Sequence, residues 1–311
     1  MRNHSLDSLK FLCAIFVVFL HTPQPEIWEN YITPFLNCAV PIFFMISGYF
    51  TYKKKDIRHT IIKRKKHLIY IFCIMFLFYL SLSLIANGKD SLEHLSILFS
   101  PGFILLNSVP YSMHLWYIIA YIYVLLIILL VEKYNLYKWL FYITPILLIT
   151  GLTVGKYSEI LLDNSFPTNY TRNFLFTGLP FFSLGMIIKK AKQIPNIHVA
   201  VILCIVFYIL GVIEVLNVKS LGDLYVSTIF LSLSIFILFI NIKQVKDNIF
   251  SKLGREESLY IYLLHFFITN GVTLLCNKYT YLTYFSALIT LSLTLILIYI
   301  LRKVKIIGKI I

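Results

Sequence analysis

The chain has 311 residues, of which 59% are hydrophobic and 14% charged, and its mean hydropathy is +0.81. A soluble protein of this length needs more charged residues to cover its surface, so the composition indicates an integral membrane protein and excludes an ordinary soluble enzyme. The formal charge of +14 comes from lysines and arginines in short clusters between apolar runs, which is the pattern of the positive-inside rule and predicts no nucleic-acid partner.

Ten apolar stretches, each close to the length that crosses a bilayer, predict ten membrane-spanning helices. They lie near residues 6–22, 31–51, 67–86, 112–131, 138–154, 173–188, 197–216, 223–242, 258–276 and 281–301. Turn-forming residues separate several of them, for example "NGKD" at 87–90. The predicted fold is therefore an all-α integral membrane bundle of about ten transmembrane helices. Residues 1–311 are expected to form a single membrane domain with no soluble domain.

The distribution of basic residues predicts the orientation of the bundle. With ten spans, most of the 28 lysines and arginines fall on the side of the N-terminus. The other side holds Lys89, Lys156, Arg172, Lys219 and Lys278. Because cytoplasmic loops carry the excess of basic residues, both termini are predicted to be cytoplasmic. No small-residue cleavage site follows the first apolar run, so this span is expected to remain uncleaved.

The five cysteines do not suggest a disulfide framework or a metal site. They are Cys13, Cys38, Cys73, Cys204 and Cys276. They are widely separated, and most lie inside apolar runs, so they are interpreted as small packing residues.

The first predicted helix carries the ionisable residues Asp7, Lys10 and His21. The eleven steps from Lys10 to His21 turn a helix by about 1100°, which is only about 20° beyond three full turns. Lys10 and His21 therefore share a face, with Asp7 on the same stripe, over a rise of roughly 16 Å. Ionisable groups at membrane depth usually face protein or a wet cavity, so the stripe is a candidate functional site. A structural Asp7–Lys10 pair and a headgroup-level His21 remain open as alternatives.

Four motifs resemble, in the same order, those of the acyltransferase-3 family of integral membrane enzymes. They are "LDSLKFLCAIFVVFLH" at 6–21, "PIFFMISGYF" at 41–50, "HLWYI" at 114–118 and "SLYIYLLH" at 258–265. The stretch "TRNFLFTGLPFFSLGMII" at 171–188 is further similar to the membrane domain of vancomycin-resistance serine racemases. The resemblance implies a ten-helix core that transfers acyl groups, commonly acetyl from acetyl-CoA, to extracytoplasmic sugars and related acceptors.

The sequence departs from the family pattern at two places. Lys10 stands where the family usually has arginine, and Arg64 with His67 stands where the family has Arg-x-x-Arg. Lysine keeps the positive charge but lacks the bidentate fork of arginine.

Acyl transfer to a hydroxyl requires a base for the hydroxyl proton and stabilisation of the developing oxyanion. His21 is predicted to be the general base, because imidazole titrates near neutrality. Lys10 is predicted to bind the phosphates or the pantetheine arm of acetyl-CoA, with Asp7 holding its orientation. Acetyl-CoA is expected as the donor substrate, with no tightly bound cofactor and no metal. The basic run from Lys53 to Lys66 is interpreted either as a phosphate attractor or as a topology signal alone.

Nine further residues are predicted to line the cavity or to bind substrate. They are Ser47, Tyr49, Arg64, His114, Trp116, Arg172, Asn173, Glu214 and His265. Ser47 is equally interpretable as a packing residue, Trp116 as an interfacial anchor, and His265 as a buried histidine bonded within the bundle. Glu214 is expected to need a partner or a wet cavity, and Arg172 or Lys219 is the expected partner.

The leading interpretation is an O-acyltransferase of the bacterial cytoplasmic (inner) membrane. Its expected partners are acetyl-CoA, the lipid bilayer and an extracytoplasmic cell-envelope glycan or lipid-linked precursor. Two other classes remain open from the sequence. A serine-type transporter or permease is compatible with ten spans and intramembrane charges, and a catalytically silent assembly partner would tolerate alanine at Lys10 and His21.

Overall fold

The computed structural model of the chain describes residues 3–52, 55–242, 246–306 and 308. All regular structure in these residues is helical and none is a strand, which confirms the all-α prediction. Several residues of the predicted basic clusters lie outside the described residues, namely Arg2, Lys53, Lys54, Lys243 and Lys309.

The first half of the chain contains eight α-helices joined by short 3₁₀ segments. They are α1 (His4–His21), α2 (Glu26–Leu36), α3 (Ala39–Thr51), α4 (Ile57–Asn87), α5 (Pro101–Leu106), α6 (Trp116–Lys133), α7 (Tyr137–Val154) and α8 (Ser158–Leu162). The 3₁₀ segments are Gly88–Phe99, Met113–Leu115 and Thr168–Tyr170.

The second half begins with a π-helical turn, Phe174–Gly178, that continues into α9 (Leu179–Lys190). The remaining helices are α10 (Ile197–Asn217), α11 (Val226–Asn241), α12 (Ile249–Glu256), α13 (Ser258–Lys278) and α14 (Ser286–Lys303). A 3₁₀ segment, Thr280–Phe285, joins α13 to α14.

Eight helical stretches among the described residues are long and apolar enough to cross a membrane. They are His4–His21, Glu26–Thr51, Ile57–Phe99, Met113–Lys133, Tyr137–Val154, Ile197–Asn217, Ser258–Lys278 and Thr280–Lys303. The other two predicted spans, 173–188 and 223–242, are helical but shorter. All ten predicted stretches are therefore largely helical, while the count of ten crossings and the cytoplasmic position of both termini stay predictions.

The structure changes two predicted boundaries. The stretch 31–51 is divided between α2 and α3 at Asn37 and Cys38. Pro41 lies in the first turn of α3, where its missing N–H removes no hydrogen bond of the helix, so its position is compatible with a helix that begins at Ala39. Helix α4 begins at Ile57, well before the predicted start at 67, so the described part of the basic run from Ile57 onward is helical.

The chain divides into two compact units, of which unit 1 comprises Met1–Phe43, Gln193–Asn217 and Tyr225–Ile311. Helix α1 is the centre of this unit, because it packs against α2, α11, α12, α13 and α14. Its side chains Leu6, Leu9 and Cys13 are completely buried. The residues that α1 carries are therefore held by several neighbouring helices at once.

Unit 2 comprises Phe44–Lys192 and Val218–Leu224. Within it α6 packs against α4, α7 and the π-helical turn, and α7 packs against α9. A Cβ atom on Gly48 of α3 would lie 1.9 Å from the carbonyl oxygen of Phe182, and one on Gly185 would lie 2.0 Å from that of Met45. The α3–α9 crossing therefore depends on two glycines, as is common where membrane helices pack closely.

Candidate active site

Helix α1 positions all three ionisable residues of the predicted stripe. Asn3 caps the helix by accepting a hydrogen bond from the Leu6 amide at 3.0 Å, Asp7 lies near the first turn, and His21 is the last residue. Beyond His21, Pro23 cannot continue the hydrogen-bond ladder. The side-chain amide nitrogen of Gln24 then donates a hydrogen bond to the Thr22 hydroxyl at 2.8 Å. The stripe is therefore confirmed as a feature of one continuous helix.

Asp7 and Lys10 form the predicted ion pair, with 2.9 Å between Lys10 Nζ and Asp7 Oδ1. Asp7 is only 4% exposed, whereas the Lys10 side chain keeps 27% of its surface accessible. A buried carboxylate is costly unless it is paired and hydrogen-bonded, so Lys10 stabilises the charge of Asp7.

Helix α12 packs directly against the backbone of α1 beside this pair. A Cβ atom on Gly254 would lie 1.7 Å from the carbonyl oxygen of Asp7. Only a glycine permits this approach, because any larger residue would force the two helices apart. The position of Asp7 is thus set by a helix that the sequence analysis did not predict.

A polar cluster joins the start of α1 to the start of α12. Asp247 lies 3.4 Å from His4 Nδ1 and 3.2 Å from the Arg255 guanidinium, and it accepts a 2.6 Å hydrogen bond from the Ser251 hydroxyl. Asn248 caps α12 by accepting from the Ser251 amide at 2.9 Å. The hydrogen bonds from Arg255 and Ser251 lower the pKa of Asp247 from 3.8 to about 2. Two features of the sequence could have predicted this helix. They are the capping residue Asn248 and the spaced apolar residues that follow it in "NIFSKLG".

At the other end of α1, His21 meets a second predicted histidine. The ring centroids of His21 and His265 are 5.2 Å apart, with a 41° angle between their planes. His265 is completely buried, and its Nδ1 lies 3.0 Å from the carbonyl oxygen of Ile261 and 2.8 Å from that of Tyr262. The edge of the Phe266 ring packs on His21 at 5.8 Å. We call His21 and His265 the histidine pair.

A cavity of about 290 Å³ adjoins α1, but it lies on the other side of the helix from the stripe. It is lined by Ser5, Ser8, Phe11, Leu12, Ile15, Phe239, Ile242, Asn248 and Phe250. At 100° per residue, these α1 residues centre roughly 150° away from Lys10 and His21. This cavity is therefore distinct from the one that the stripe is predicted to face.

In unit 2, the predicted residues Ser47 and Arg64 are linked through Thr51. The Arg64 guanidinium donates to the Thr51 hydroxyl at 2.9 Å, and that hydroxyl donates to the Ser47 carbonyl oxygen at 2.7 Å. The ammonium group of Lys189 lies 4.6 Å from the centre of the Tyr49 ring, within cation–π range. Arg64 thus ties α4 to α3, which is a structural contact whatever its further role.

The His114 motif lies at the start of α6. His114 is 2% exposed, its Nδ1 is 2.6 Å from the Ser112 hydroxyl, and the ring of Tyr79 packs edge-on at 5.2 Å. The indole of Trp116 contacts the ring of Tyr117 at 6.4 Å and is partly exposed.

Asn173 organises the π-helical turn at the start of α9. Its side-chain oxygen accepts from the amides of Leu175 and Phe176 at 2.9 and 3.1 Å, and its side-chain nitrogen donates to the carbonyl oxygens of Asn169 and Tyr170. Asn173 is 1% exposed and fully used as a cap. Its position favours a structural role over direct contact with substrate.

Arg172 and Glu214, two of the predicted cavity residues, each have a hydrogen-bond partner within their own unit. Arg172 Nε donates to Asp223 at 2.6 Å, and Glu214 accepts from the Ser227 amide at 2.9 Å. That amide belongs to the first turn of α11, where the helix dipole favours a negative charge. A helix N-terminus therefore contributes to the stabilisation of Glu214, while its pairing with Arg172 or Lys219 stays a prediction.

Lys156 was not predicted as a site residue, yet its side chain is buried. It is 8% exposed and donates a hydrogen bond to the Ser220 carbonyl oxygen. Burial lowers the pKa of Lys156. The Lys156–Ser220 hydrogen bond and the Arg172–Asp223 ion pair are two separate contacts, and together they attach the segment Val218–Leu224 to the rest of unit 2. The described residues contain no group of three or more His, Cys, Asp or Glu side chains arranged to hold a metal ion.

Comparison with known proteins gives a family match over nearly the whole chain. Residues 3–301 match the acyltransferase-3 profile, described as an acyltransferase domain. The chain is 25% identical to a serine/alanine racemase of Enterococcus gallinarum, over 89% of the chain and 42% of the relative. It is 26% identical to an amino-acid racemase of Enterococcus faecalis, over 85% of the chain and 40% of the relative. The chain thus spans about two fifths of the length of these relatives, and no solved structure matches it.

Proposed function

The chain belongs to the acyltransferase-3 family, and from that premise we propose that it is an O-acyltransferase of the bacterial cytoplasmic membrane. The proposed donor is acetyl-CoA on the cytoplasmic side. The proposed acceptor is a hydroxyl of an extracytoplasmic cell-envelope glycan or of its lipid-linked precursor.

Helix α1 is the observation that supports this proposal most directly. It carries the Asp7–Lys10 pair near its first turn and His21 at its last residue. An 18-residue helix is about 27 Å long, so the charged pair and the imidazole stand near opposite ends of one membrane-length helix. Such an arrangement suits a reaction whose donor and acceptor arrive from opposite sides.

In the proposed reaction the acceptor oxygen attacks the carbonyl carbon of the thioester. The carbon–oxygen bond forms, the carbon–sulfur bond breaks, and the hydroxyl proton passes to His21 and from there to the departing thiolate of coenzyme A. His21 is thus the general base and then the general acid. Lys10 is proposed to hold a phosphate or the pantetheine arm as a point charge, with Asp7 fixing its ammonium group.

The test measures transfer of labelled acetyl from acetyl-CoA in membranes that contain the chain. His21→Ala is expected to lower the rate by about 10²- to 10⁴-fold, the usual contribution of a general acid–base group. His198→Ala is the matched control, because His198 is an exposed histidine near the start of α10. An unchanged rate in His21→Ala would reject this mechanism.

The acceptor is identified by mass spectrometry of envelope glycans from cells with and without the chain. The proposal expects one glycan class to lose an acetyl mass when the chain is removed or carries His21→Ala. Glycan profiles identical in all three cell types would reject a glycan acceptor.

A second candidate function is transport of a small amino acid, proposed because the two relatives are named as racemases and so act on amino acids. It predicts uptake of labelled serine into vesicles without any acyl donor. That uptake would persist in the His21→Ala variant, whereas acetyl transfer would not. The two functions are therefore distinguished by one variant in two assays.

A further inference from the structure

The histidine pair has a geometry that fits mutual orientation of its rings. Two imidazoles joined in line by an N–H···N hydrogen bond of about 2.9 Å have their centres about 5 Å apart. The centroids of His21 and His265 are separated by 5.2 Å. The Phe266 ring packs against both imidazoles, with ring centroids 5.8 Å from His21 and 6.4 Å from His265, so the two histidines share one aromatic neighbour.

The tautomer of His265 follows from its contacts. Its Nδ1 faces two carbonyl oxygens of its own helix, those of Ile261 and Tyr262. A carbonyl oxygen only accepts hydrogen bonds, so Nδ1 carries the proton. In the neutral ring, Nε2 then acts only as an acceptor. Because His265 is completely buried and bonded to its own helix turn, this acceptor has a fixed direction.

We infer that His265 is a positioning residue for His21, an inference that rests on the proposed function. When substrate is bound, Nε2 of His265 accepts the N–H of His21, which leaves the other nitrogen of His21 unprotonated and available to the acceptor hydroxyl. Orienting groups behind a general base act in this way, and their hydrogen bonds often tighten only in the substrate complex.

A neutral orienting group suits this place in the chain. His265 lies within a membrane-length helix, α13, where an additional buried carboxylate would be costly. An imidazole supplies the same acceptor without a charge. The histidine pair therefore provides the base and its orienting group at little electrostatic cost.

The test uses two substitutions at His265 that differ in which ring nitrogen of His265 the new side chain replaces. His265→Asn retains an amide donor near the Ile261 carbonyl but places no acceptor at the Nε2 position. His265→Gln reaches the Nε2 position with its amide oxygen. In the assay of labelled acetyl transfer in membranes that contain the chain and its native acceptor, we expect His265→Asn to lower kcat by about 10²-fold, the cost of a misplaced reacting group. KM for acetyl-CoA should stay unchanged, and His265→Gln should recover most of the lost kcat.

The control is Thr269→Val on the same helix. Thr269 is 3% exposed and donates to the carbonyl oxygen of His265 at 2.9 Å without touching the ring. It is expected to behave like the wild type. Thermal unfolding of each variant in detergent shows whether a loss of rate follows from a loss of fold.

A double variant separates positioning from general structural support. In a His21→Ala background, adding His265→Asn should leave the residual rate unchanged, because the residue that His265 orients is gone. A further fall in that background, or equal losses in His265→Asn and His265→Gln, would overturn the inference. Wild-type rates in both His265 variants alongside an inactive His21→Ala would overturn it and leave the proposed function standing. Full acetyl transfer by His21→Ala would reject the proposed mechanism, in which His21 is the general base, and this inference with it.

Discussion

The two ends of α1 are held by different kinds of contact. At the Asp7 end, backbone packs against backbone, since the Asp7 carbonyl oxygen lies where a side chain on Gly254 would have to be. At the His21 end, the described contacts of the imidazole are with the rings of His265 and Phe266. Asp7 is almost fully buried, whereas His21 is partly exposed.

This difference matches what each end is proposed to do. Backbone packing leaves Asp7 and Lys10 little freedom unless a whole helix moves, which suits a fixed anchor for a charged donor. At the other end the contacts are between side chains, which places an orienting ring beside the group proposed to take and return a proton. Changes at the two ends are therefore expected to have different consequences, with stability affected mainly at one end and rate at the other.

The largest effect on stability is expected from Gly254→Ala. The new Cβ would meet the Asp7 carbonyl oxygen at 1.7 Å, so α12 must move away from α1. Overpacking of a core typically costs about 1–3 kcal/mol, and a contact with backbone is harder to relieve than one with a flexible side chain. We expect a clear fall in the thermal unfolding midpoint in detergent. In the transfer assay we expect weaker binding of acetyl-CoA, measured as a higher KM for acetyl-CoA.

Gly271→Ala is the matched control for this substitution. Gly271 lies within α13, and a Cβ there would meet nothing within 4 Å. Because alanine is a better helix former than glycine, the change is expected to be neutral or to stabilise by up to about 1 kcal/mol. Equal unfolding midpoints for the two variants would contradict the tight packing of α12 on α1.

An intermediate effect is expected from separating the Asp7–Lys10 pair, and it should be asymmetric. Lys10→Met removes the cation beside a carboxylate that is 4% exposed, at a cost of up to about 3 kcal/mol. Asp7→Asn leaves a lysine that is 27% exposed and whose long side chain can reach water or headgroups, so it should cost about 1 kcal/mol.

The double variant Asp7→Asn with Lys10→Met should recover part of the loss of Lys10→Met, because the buried carboxylate that Lys10 stabilises is then absent as well. Unfolding midpoints of the three variants give this coupling directly. A larger loss in Asp7→Asn than in Lys10→Met would show that the buried carboxylate is not the element that needs compensation.

The sequence was sufficient for features that repeat locally or extend over a whole span. Hydropathy located the ten helical stretches, because each is apolar over about 20 residues. Helical periodicity placed Asp7, Lys10 and His21 on one helix face and predicted the Asp7–Lys10 contact, which is confirmed at 2.9 Å. The resemblance to the acyltransferase-3 family was also confirmed by the profile match.

Features that depend on distant residues were not predictable in the same way. Helix α12 has eight residues, too few to appear in a span-length hydropathy window. The contact of Gly254 with Asp7 and that of His265 with His21 join residues more than 240 positions apart, so no local pattern reports them. Arg172 pairs with Asp223, a residue 51 positions away that no sequence pattern singled out.

The smallest effect is expected at Asp247, which links the starts of α1 and α12 through His4 and Arg255. Its pKa is lowered to about 2 from 3.8 by hydrogen bonds from Arg255 and Ser251. A carboxyl whose pKa is lowered by folding stabilises the fold above its unfolded pKa and loses that contribution as the pH falls through the folded value. The contribution of the Asp247 carboxylate should thus be fully present above about pH 5 and disappear towards pH 2.

Asp247→Asn should remove the link at every pH. Because Asp247 is half exposed, we expect no measurable change in the global unfolding midpoint. Hydrogen–deuterium exchange should instead be faster in α12 at pH 7 and unchanged in α13. If exchange in α12 does not change either, the polar cluster contributes nothing to docking, and the Asp7 end of α1 is held by the Gly254 backbone contact without help from surface charge.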